Sequence, residues 1–492
     1  MLLRDLLREL SIHTNIDQTL SKIEVKGIAD NSKDVKPGYV FIAIKGFTSD
    51  GHDYITDAIQ NGATIIIGDQ SLNLDVVPYI KVDNSRQALG IISKNYYQNP
   101  SKDKIMIGIT GTNGKTTTSY ILKHLLEQNG KSCSIIGTIQ NIVNGETLSS
   151  SNTTPSVLML NKLLSECKDE IVIVEVSSHG LTQFRVEGIQ FDFGIFTNLY
   201  HEHLDYHSTM EEYFQAKLLL FDHLKENGLA IINKDNYWGE KLVSILNPRG
   251  IKAYTIGQSS DNDIQLLDLA TNTSTISAKA ESNSFEMVCP MPGTHNKYNT
   301  MLAFLTARSI GIPQNLIQQS MMSFQGVNGR FETIRQEHTP TVIIDYAHTP
   351  DAVFHCITSA KNYGAKRVIH VFGFRGNRDK TKRPEMLAIT SDLSDCYILT
   401  LDDLNNVSEE EMIETLEELN RSYGNHKGMI IPDRTLAIQK AIEMANDEDW
   451  VMITGKGHEN YQQDFHLNTF SDKDTVQAVL HEFTKQEIFN SN

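Results

Sequence analysis

The segment ITGTNGKTTT at residues 109–118 combines glycine, lysine and threonine directly after the apolar run 105–107. In a loop that follows a strand and opens a helix, backbone amides can bind phosphate oxygens. Lys115 would then reach the β- and γ-phosphates, and Thr116 would hold magnesium. Ile109 stands where GxxxxGK[ST] has its first glycine, so the spacing is a variant of that motif. We predict a nucleotide-binding loop, because a plain glycine turn has no need of Gly-Lys-Thr.

Two further segments carry reactive side chains but do not define a site by themselves. HEHLDYH at 201–207 holds three histidines, but Asp205 stands at the second histidine of HExxH, which argues against a zincin. Lys217 lies among apolar residues in YFQAKLLLF at 213–221, where burial would favour the neutral amine. A solvated histidine and a lysine that extends its amine to the surface are the alternatives.

Strands and helices alternate along the chain and would position these residues. Before residue 200 the pattern predicts strands at 39–44, 63–69, 79–83, 171–176 and 193–199. Helices are expected at 53–62, after Asn84, and from the nucleotide-binding loop to Gly130. The segment near 250–290, rich in Thr and Ser, predicts short strands in a peripheral sheet and no long helix.

After Arg330 the alternation becomes regular. Predicted strands lie at 342–345, 367–374, 396–403, 429–432 and 450–457, with helical segments between them. This pattern is typical of a parallel, doubly wound sheet in an α/β protein. Ligands of such sheets bind at the carboxyl ends of the strands. Polar clusters occur at those ends, at 345–348, 375–378, 402–403 and 455–459.

Composition limits the class of protein. The chain has 492 residues, which at about 150 residues per domain suggests roughly three domains. With 40% hydrophobic and 21% charged residues it should be globular, and its net charge of -17 argues against a nucleic-acid partner. The five cysteines form no CxxC pair, and we find no signal peptide and no run of ~18 apolar residues. We expect a cytoplasmic monomer without membrane insertion.

Beyond TGTNGKT, seven segments resemble the Mur ligase family in the order in which they occur there. They are EVSSHGL (175–181), TNLYHEHLDYH (197–207), YFQAKLLLF (213–221), GVNGRFE (326–332), DYAHTPD (345–351), GFRGNRDKTKRP (373–384) and GKGHE (455–459). The resemblance covers nearly the whole chain and is strongest to the branch that adds a diamino acid to UDP-MurNAc-L-Ala-D-Glu.

That resemblance implies a fold of three domains. They are a small N-terminal α/β UDP-sugar-binding domain at 1–100, a central P-loop ATPase domain with a mostly parallel sheet at 101–330, and a C-terminal Rossmann-like, doubly wound amino-acid-binding domain at 331–492. Because ATP contacts are contributed by more than one domain, we expect the domains to close over a hydrolysable intermediate.

The family's reaction implies the chemistry of the site. ATP converts a carboxylate to an acyl phosphate, and an amine then displaces phosphate to form an amide of a peptidoglycan precursor. The implied ATP-binding residues are Gly111, Thr112, Asn113, Gly114, Lys115, Thr116, Thr117, Asn296, Asn299, Arg330, Asp345 and His348. The implied catalytic residues are Lys115, Glu175, His203 and Lys217. Alone, Arg330 would be read as a surface cation.

The implied metal is Mg²⁺, which prefers oxygen ligands and tolerates a rare imidazole. The matched metal positions are Thr116, Glu175, His203 and Lys217, the last as a carbamate that turns a cation into an anion.

The matched positions for the UDP-sugar are Ser32, Thr153, Thr154, Ser178 and Arg185. The chain departs from the family at four motifs: Asn31 replaces the aspartate of DSR, Ser156 the glutamate of TTPE, Glu202 the aspartate before HLD, and His295 the phenylalanine of GxFN. These changes affect the UDP-sugar end more than the nucleotide end.

The matched positions for the incoming amino acid are Arg378, Asp402, Asp403, Asn405, Gly455 and Glu459. Members of the family that use meso-diaminopimelate carry DNPR, whose arginine binds the distal carboxylate. The aligned residues here are Asp402, Asp403, Leu404 and Asn405. Because asparagine lacks the charge and the aspartates favour an ammonium, we expect L-lysine to be preferred. A plain strand-to-loop transition is the alternative for DDLNN.

Two other functions stay open at this point. A paralogous ligase could join a different amino acid to a different carboxylate, as the changes at Asn31, Ser156 and Asn405 would allow. A nonenzymatic scaffold of the same fold is the second alternative, but it has no need of Lys115 together with the matched metal ligands. The expected partners are therefore the substrates alone.

Overall fold

The structure is a computed structural model that describes residues 1–46, 49–150, 152–269, 273–280 and 283–490. Its helices are α1 (Leu3–Leu6), α2 (Ile55–Gln60), α3 (Ser85–Tyr96), α4 (Lys115–Gln128), α5 (Val157–Glu166), α6 (Ser178–Thr182), α7 (Met210–Asp222), α8 (Tyr237–Leu246), α9 (Thr294–Ile310), α10 (Gln314–Met321), α11 (Pro350–Asn362), α12 (Arg383–Leu393), α13 (Glu409–Tyr423), α14 (Arg434–Glu443) and α15 (Asp472–Asn490).

Its strands are β1 (Gly27–Ala29), β2 (Tyr39–Ile42), β3 (Ala63–Gly68), β4 (Tyr79–Lys81), β5 (Ile105–Thr110), β6 (Cys133–Ile136), β7 (Gln140–Val143), β8 (Glu146–Ser149), β9 (Ile171–Glu175), β10 (Phe191–Phe196), β11 (Leu224–Asn233), β12 (Lys252–Gly257), β13 (Ile264–Asp268), β14 (Thr275–Ala280), β15 (Asn283–Val288), β16 (Glu332–Ile334), β17 (Thr341–Asp345), β18 (Val368–Phe374), β19 (Cys396–Leu401), β20 (Gly428–Ile430) and β21 (Trp450–Thr454).

The chain forms two compact units. The first unit comprises Met1–Thr110, Lys131–Gly194 and Ala216–Leu229. The second unit comprises Gly111–Gly130, Ile195–Gln215 and Ala230–Asn492. The division at 1–100, 101–330 and 331–492 stays a prediction.

A four-stranded parallel sheet in the first unit runs in the order β1-β2-β3-β4. Side chains of β3 alternate between its faces, as the two-residue period of a strand requires. Ile65 and Ile67 pack with Leu3 and Leu6 on one side, and Ile66 packs with Ala58 on the other. The predicted helix at 53–62 is shorter than expected, because a 3₁₀ turn at Gly51–Tyr54 precedes α2.

The first unit also contains strands in the order β8-β7-β6-β9-β5. β5 and β6 run parallel to β9, and the register pairs Ile109 with Glu175. The nucleotide-binding loop therefore leaves β5 beside the end of β9.

The C-terminal sheet of the second unit has the order β16-β17-β21-β18-β19-β20. All neighbouring strands are parallel except β16, which is antiparallel to β17. α11, α12 and α13 contribute Ile357, Leu387 and Leu416 to a core on one face, and α14 and α15 contribute Ile438 and Leu480 to the other. This arrangement confirms the predicted doubly wound sheet.

Several predicted strands end earlier than the sequence pattern indicated, among them β19 and β21. β19 ends at Leu401, since the Asp403 amide donates to Asp402 Oδ1 at 2.7 Å instead of to a neighbouring strand. β21 ends at Thr454, because Gly455 and Gly457 adopt φ of 109° and 56°. The segments 402–405 and 455–459 are consequently loops at the carboxyl ends of strands. The predicted short strands near 250–290 are β12 to β15, of which β13, β14 and β15 pair antiparallel.

Candidate active site

The nucleotide-binding loop depends on two glycines. Gly111 and Gly114 have φ of 148° and 86°, which disfavour L side chains. A Cβ at Gly111 would lie 1.9 Å from Thr197 Oγ1, and one at Gly114 would lie 2.2 Å from Asn299 Oδ1. Only glycine therefore permits this approach of the loop to Thr197 and Asn299.

The loop is held from both sides by side chains of the second unit. The Asn113 amide donates to Asn198 Oδ1 at 2.9 Å, and Thr197 Oγ1 donates to the Asn113 carbonyl at 2.6 Å. Asn113 Nδ2 donates to Asp351 Oδ2 on α11 at 3.2 Å. Lys115 opens α4 and its Nζ donates to the carbonyls of Gly111 and Thr112 at 2.8 and 2.9 Å. The ammonium thus lies inside the loop.

The two asparagines of α9 are buried next to α4. Asn299 Oδ1 accepts from Thr118 Oγ1 at 3.4 Å, and its Nδ2 donates to Asn296 Oδ1 at 3.2 Å. Asn296 Nδ2 donates to the Pro292 carbonyl at 2.6 Å. Both residues border the cleft described below, and their amide groups also fix α9 against the loop.

Arg330, Asp345 and His348 also border the cleft described below. Arg330 Nη2 donates to Thr116 Oγ1 at 3.3 Å. Asp345 accepts from the amides of Phe331 and Ala347 at 2.6 and 2.7 Å, and burial raises the pKa of its carboxyl. Since Phe331 has φ of 47°, Asp345 stabilises a strained turn directly after Arg330.

A cleft of the second unit runs between these elements. Its empty space, counted out to the open mouth and including solvent there, is about 1020 Å³. Eight of the residues matched to ATP binding lie on its wall: Asn113, Gly114, Thr117, Asn296, Asn299, Arg330, Asp345 and His348. Sequence reasoning missed other wall residues, namely Tyr200, Asp235, His295, Tyr298, Tyr346 and His355. Tyr200 and Tyr346 lie in the quoted segments 197–207 and 345–351, and His295 and Tyr298 are adjacent to the predicted residues Asn296 and Asn299. Asp235 and His355 lie in no segment that the sequence singled out.

The contacts of Glu202 are a further feature that the sequence did not reveal. Its buried carboxylate lies 2.7 Å from His348 Nε2, 3.6 Å from Lys382 Nζ and 3.8 Å from His203 Nε2. Burial alone would raise its pKa, but the interactions with His203, His348 and Lys382 outweigh burial and hold the pKa of Glu202 well below its usual range. The carboxylate therefore holds His348 and Lys382 beside one another.

Charged residues also meet at the carboxyl ends of β18, β19 and β21. This strand-end cluster consists of Arg375, Asp402, Asp403, Lys456 and Glu459. Lys456 Nζ lies 2.5 Å from Asp403 Oδ1 and 3.6 Å from Asp402 Oδ1. Arg375 contacts Glu459 and lies 3.7 Å from Asp402 and 4.0 Å from Asp403. Both aspartates are buried and already paired with cations of the protein, which the sequence prediction did not include.

Three matched positions for the incoming amino acid lie outside this cluster, namely Gly455, which follows β21, Asn405 and Arg378. Asn405 Nδ2 donates to the Gly376 carbonyl at 3.0 Å, and Asn377 Nδ2 donates to the Asn405 carbonyl at 2.6 Å. Asn405 therefore joins two loops through its amide group. Arg378, on the same loop as Gly376, is exposed to solvent.

Known proteins resemble the chain over its whole length. Three family descriptions match it: "Mur ligase family, catalytic domain" at 24–97, "Mur ligase middle domain" at 109–307 and "Mur ligase, glutamate ligase domain" at 329–457. The chain is 35% identical to the UDP-N-acetylmuramoyl-L-alanyl-D-glutamate--2,6-diaminopimelate ligase of Clostridioides difficile, over 100% of this chain and 99% of the relative. The chain belongs to the Mur ligase family.

Further comparisons agree with this membership. The ligase of the same name from Aquifex aeolicus is 38% identical over 93% of this chain and 94% of the relative. A solved structure of such a ligase superposes with a TM-score of 0.70 at 27% identity and covers 99% of both chains. MurF of Thermotoga maritima in complex with ADP shares the fold, with a TM-score of 0.62 at 21% identity over 87% of this chain and 94% of that chain. The protein is thus an ATP-dependent ligase with the three-domain Mur ligase fold.

In this Mur ligase, the matched metal positions are divided between the two units. Glu175 in the first unit is fully buried, and its Oε2 accepts from Thr138 Oγ1 at 2.7 Å. Lys217 of α7 is 1% exposed, and Thr116 and His203 belong to the second unit. The oxygens of Thr116 and Glu175 suit Mg²⁺, whereas an unmodified ammonium does not. Within the described ranges no group of three or more His, Cys, Asp or Glu residues could hold a metal.

Four of the five matched UDP-sugar positions come together in the first unit of this Mur ligase. Arg185 Nη1 donates to the Thr154 carbonyl at 2.7 Å, and Thr138 Oγ1 donates to Thr153 Oγ1 at 3.1 Å. A Cβ at Gly180 would lie 2.8 Å from Thr154 Oγ1, which places the start of α6, with Ser178, beside Thr154. Ser32 lies in a separate 3₁₀ turn, where its carbonyl accepts from Asn61.

Across the described part of the chain, no helix is both long and apolar enough to cross a membrane.

Proposed function

We propose that this Mur ligase uses ATP and Mg²⁺ to add a diamino acid to UDP-MurNAc-L-Ala-D-Glu in cytoplasmic peptidoglycan precursor synthesis. Arg330 lies in the segment GVNGRFE (326–332), here called the hinge. The observation that carries the proposal is the contact of Arg330 with Thr116, which brings the hinge to the nucleotide-binding loop. The names of the relatives support the substrate. We also propose that the protein is a monomer and that its three domains meet at about residues 100 and 330.

The proposed reaction has two steps. The substrate carboxylate attacks the γ-phosphorus of ATP, the bond to the bridging oxygen breaks, and ADP leaves. The acceptor amine then attacks the acyl carbon, loses a proton and displaces phosphate. Lys115 offsets charge on the transferring phosphoryl group, and bound Mg²⁺ would do so on the β- and γ-phosphates. Excluding water from the cleft protects the acyl phosphate.

For the acceptor we propose L-lysine ahead of meso-diaminopimelate. In the strand-end cluster the three carboxylates of Asp402, Asp403 and Glu459 face the two cations of Arg375 and Lys456. The cluster thus has one more carboxylate than cation, and an acceptor ammonium would balance it. The Asn405 side-chain amide donates to the Gly376 carbonyl. Asparagine also lacks the guanidinium group that would bind the distal carboxylate of meso-diaminopimelate. The positions Arg378, Gly455 and Glu459 would bind the backbone of the amino acid.

A second candidate acceptor is meso-diaminopimelate, which the names of the relatives from Clostridioides difficile and Aquifex aeolicus favour. Arg375 or Arg378 would then supply the guanidinium, because these arginines flank Gly376 and Asn377, the two residues that hydrogen-bond to Asn405. A paralogous ligase with another carboxylate substrate is a further outcome of the same test.

The test is ADP release with UDP-MurNAc-L-Ala-D-Glu and either L-lysine, meso-diaminopimelate, L-ornithine or no acceptor. We expect release and the matching mass gain of the nucleotide sugar with L-lysine, at a higher kcat/KM than with meso-diaminopimelate. A preference for meso-diaminopimelate would overturn the lysine assignment. Silence with every acceptor, although ATP binds, would overturn the peptidoglycan substrate.

A further inference from the structure

Tyr346 lies between the nucleotide-binding cleft and the strand-end cluster. It follows β17 and forms part of the cleft wall. The Arg330 guanidinium lies 4.3 Å from the centre of its ring, and the Arg375 guanidinium lies 5.5 Å from it. Tyr346 is buried next to the Glu459 carboxylate, and burial raises the pKa of Tyr346 to about 12. Tyr346 therefore lies next to Arg330, which contacts the nucleotide-binding loop, and next to Arg375 and Glu459 of the strand-end cluster.

Beside Tyr346, the backbone at positions 329 and 457 is packed too closely for any residue except glycine. A Cβ at Gly457 would lie 2.7 Å from the Gly329 carbonyl and 3.0 Å from Tyr346 Cβ. A Cβ at Gly329 would lie 2.2 Å from the His458 amide nitrogen. Both glycines have positive φ, of 56° and 65°. The hinge that carries Arg330 thus rests directly on the loop that carries Glu459.

These contacts form a continuous series. Thr116 of the nucleotide-binding loop accepts from Arg330, and Arg330 stacks on Tyr346. Arg375 lies near the same ring and contacts Glu459. A movement of Arg375 and Glu459 therefore changes the packing of the tyrosine on which Arg330 rests.

We propose that Tyr346 is a positioning residue that couples occupation of the acceptor site to the grip of Arg330 on the nucleotide-binding loop. This inference rests on the proposed assignment of Glu459 to the acceptor site. An acceptor that orders Glu459 and Arg375 fixes Tyr346, and Arg330 is then held over Thr116. Nucleotide binding and acceptor binding consequently strengthen each other, as linkage requires.

The experiment measures the Kd of a nonhydrolysable ATP analogue in the full-length protein. Both arms contain Mg²⁺ and UDP-MurNAc-L-Ala-D-Glu, and one arm adds a saturating diamino acid that supports ADP release. We expect the acceptor to tighten nucleotide binding about fivefold or more in the wild type. Tyr346→Phe keeps the ring under Arg330 but removes the hydroxyl next to the Glu459 carboxylate, so the ratio of the two Kd values should fall towards one. Because a ratio is compared, a change in nucleotide affinity itself cancels.

Tyr461→Phe is the matched control. Tyr461 donates to the Asp472 carboxylate at 3.1 Å in the same C-terminal sheet region and contacts neither Arg330 nor Glu459 in the described structure. This variant should keep the wild-type ratio, whereas Tyr346→Leu should lose it and also weaken nucleotide binding. A wild-type ratio of one, or a full ratio in Tyr346→Phe, would overturn the coupling. Absence of ADP release with every diamino acid would overturn the proposed function and the coupling together.

Discussion

The nucleotide-binding loop and the strand-end cluster achieve their geometry in different ways. In the loop, the backbone conformation of Gly111 and Gly114 sets the shape, and the neighbouring amide groups only fix it. In the cluster, buried charges are paired among segments far apart in the chain, such as Asp403 with Lys456. The loop is therefore sensitive to changes in one short segment, whereas the cluster is sensitive to the loss of any one charge.

Removing a charge from the cluster should give the largest effect on stability. Lys456→Met leaves Asp403 buried without its nearest cation, which costs about 3–5 kcal/mol. We expect the melting temperature to fall by ~6–20 °C in calorimetry. Lys366→Met, at an exposed ion pair with Glu448, should change it little. Equal shifts in the two variants would show that burial of the pair does not determine its contribution.

Removing the charge of the loop should affect chemistry instead of stability. Lys115→Ala should lower kcat by about 100- to 1,000-fold, because the phosphoryl group loses a preorganised cation. Lys123→Ala, on the same helix but paired with Glu127, should retain activity. ADP release measures the first effect, and an unchanged melting temperature separates it from unfolding. A drop in melting temperature like that of Lys456→Met would remove the distinction between the two regions.

The same difference explains how much the sequence could predict. The loop 111–117 and the strands of the C-terminal sheet were predictable because each is encoded within one contiguous segment. The pairing of Asp402 and Asp403 with Lys456 was not, since these residues follow β19 and β21, which lie on either side of β18 and meet only in the assembled sheet. The role of Glu202 was missed for the same reason: His348 and Lys382 come from distant segments.

The loop of Asn405 offers a sharper test of what the cluster selects. Asn405→Arg removes the hydrogen bond from the Asn405 side-chain amide to the Gly376 carbonyl and adds a guanidinium near the cluster. The ratio of kcat/KM for meso-diaminopimelate to that for L-lysine should rise about tenfold. Asn406→Arg is the control, since the neighbouring asparagine also has positive φ, 68° against 46°, and is exposed. If both variants shift the ratio alike, net charge and not the position of residue 405 selects the acceptor.

The smallest expected effect is the acid sensitivity of the cluster. Burial alone would raise the pKa of Asp402, but Arg375, Arg434 and Lys456 hold it below the ordinary value of 3.8. The unfolded chain therefore takes up this proton at a higher pH than the folded chain. The stability that Asp402 contributes is complete above 3.8 and is lost as the pH falls below that value towards the folded pKa.

Asp402→Asn removes this proton uptake and should flatten the acid side of the stability curve. Melting temperatures of the wild type and the variant would be compared at about pH 5 and about pH 3. We expect the wild type to lose more between the two values, even though the variant melts lower at both. The nucleotide-binding loop has no buried carboxylate of its own between residues 111 and 117. An equal acid loss in both proteins would therefore place the sensitivity outside the strand-end cluster and leave Asp402 paired but without influence on it.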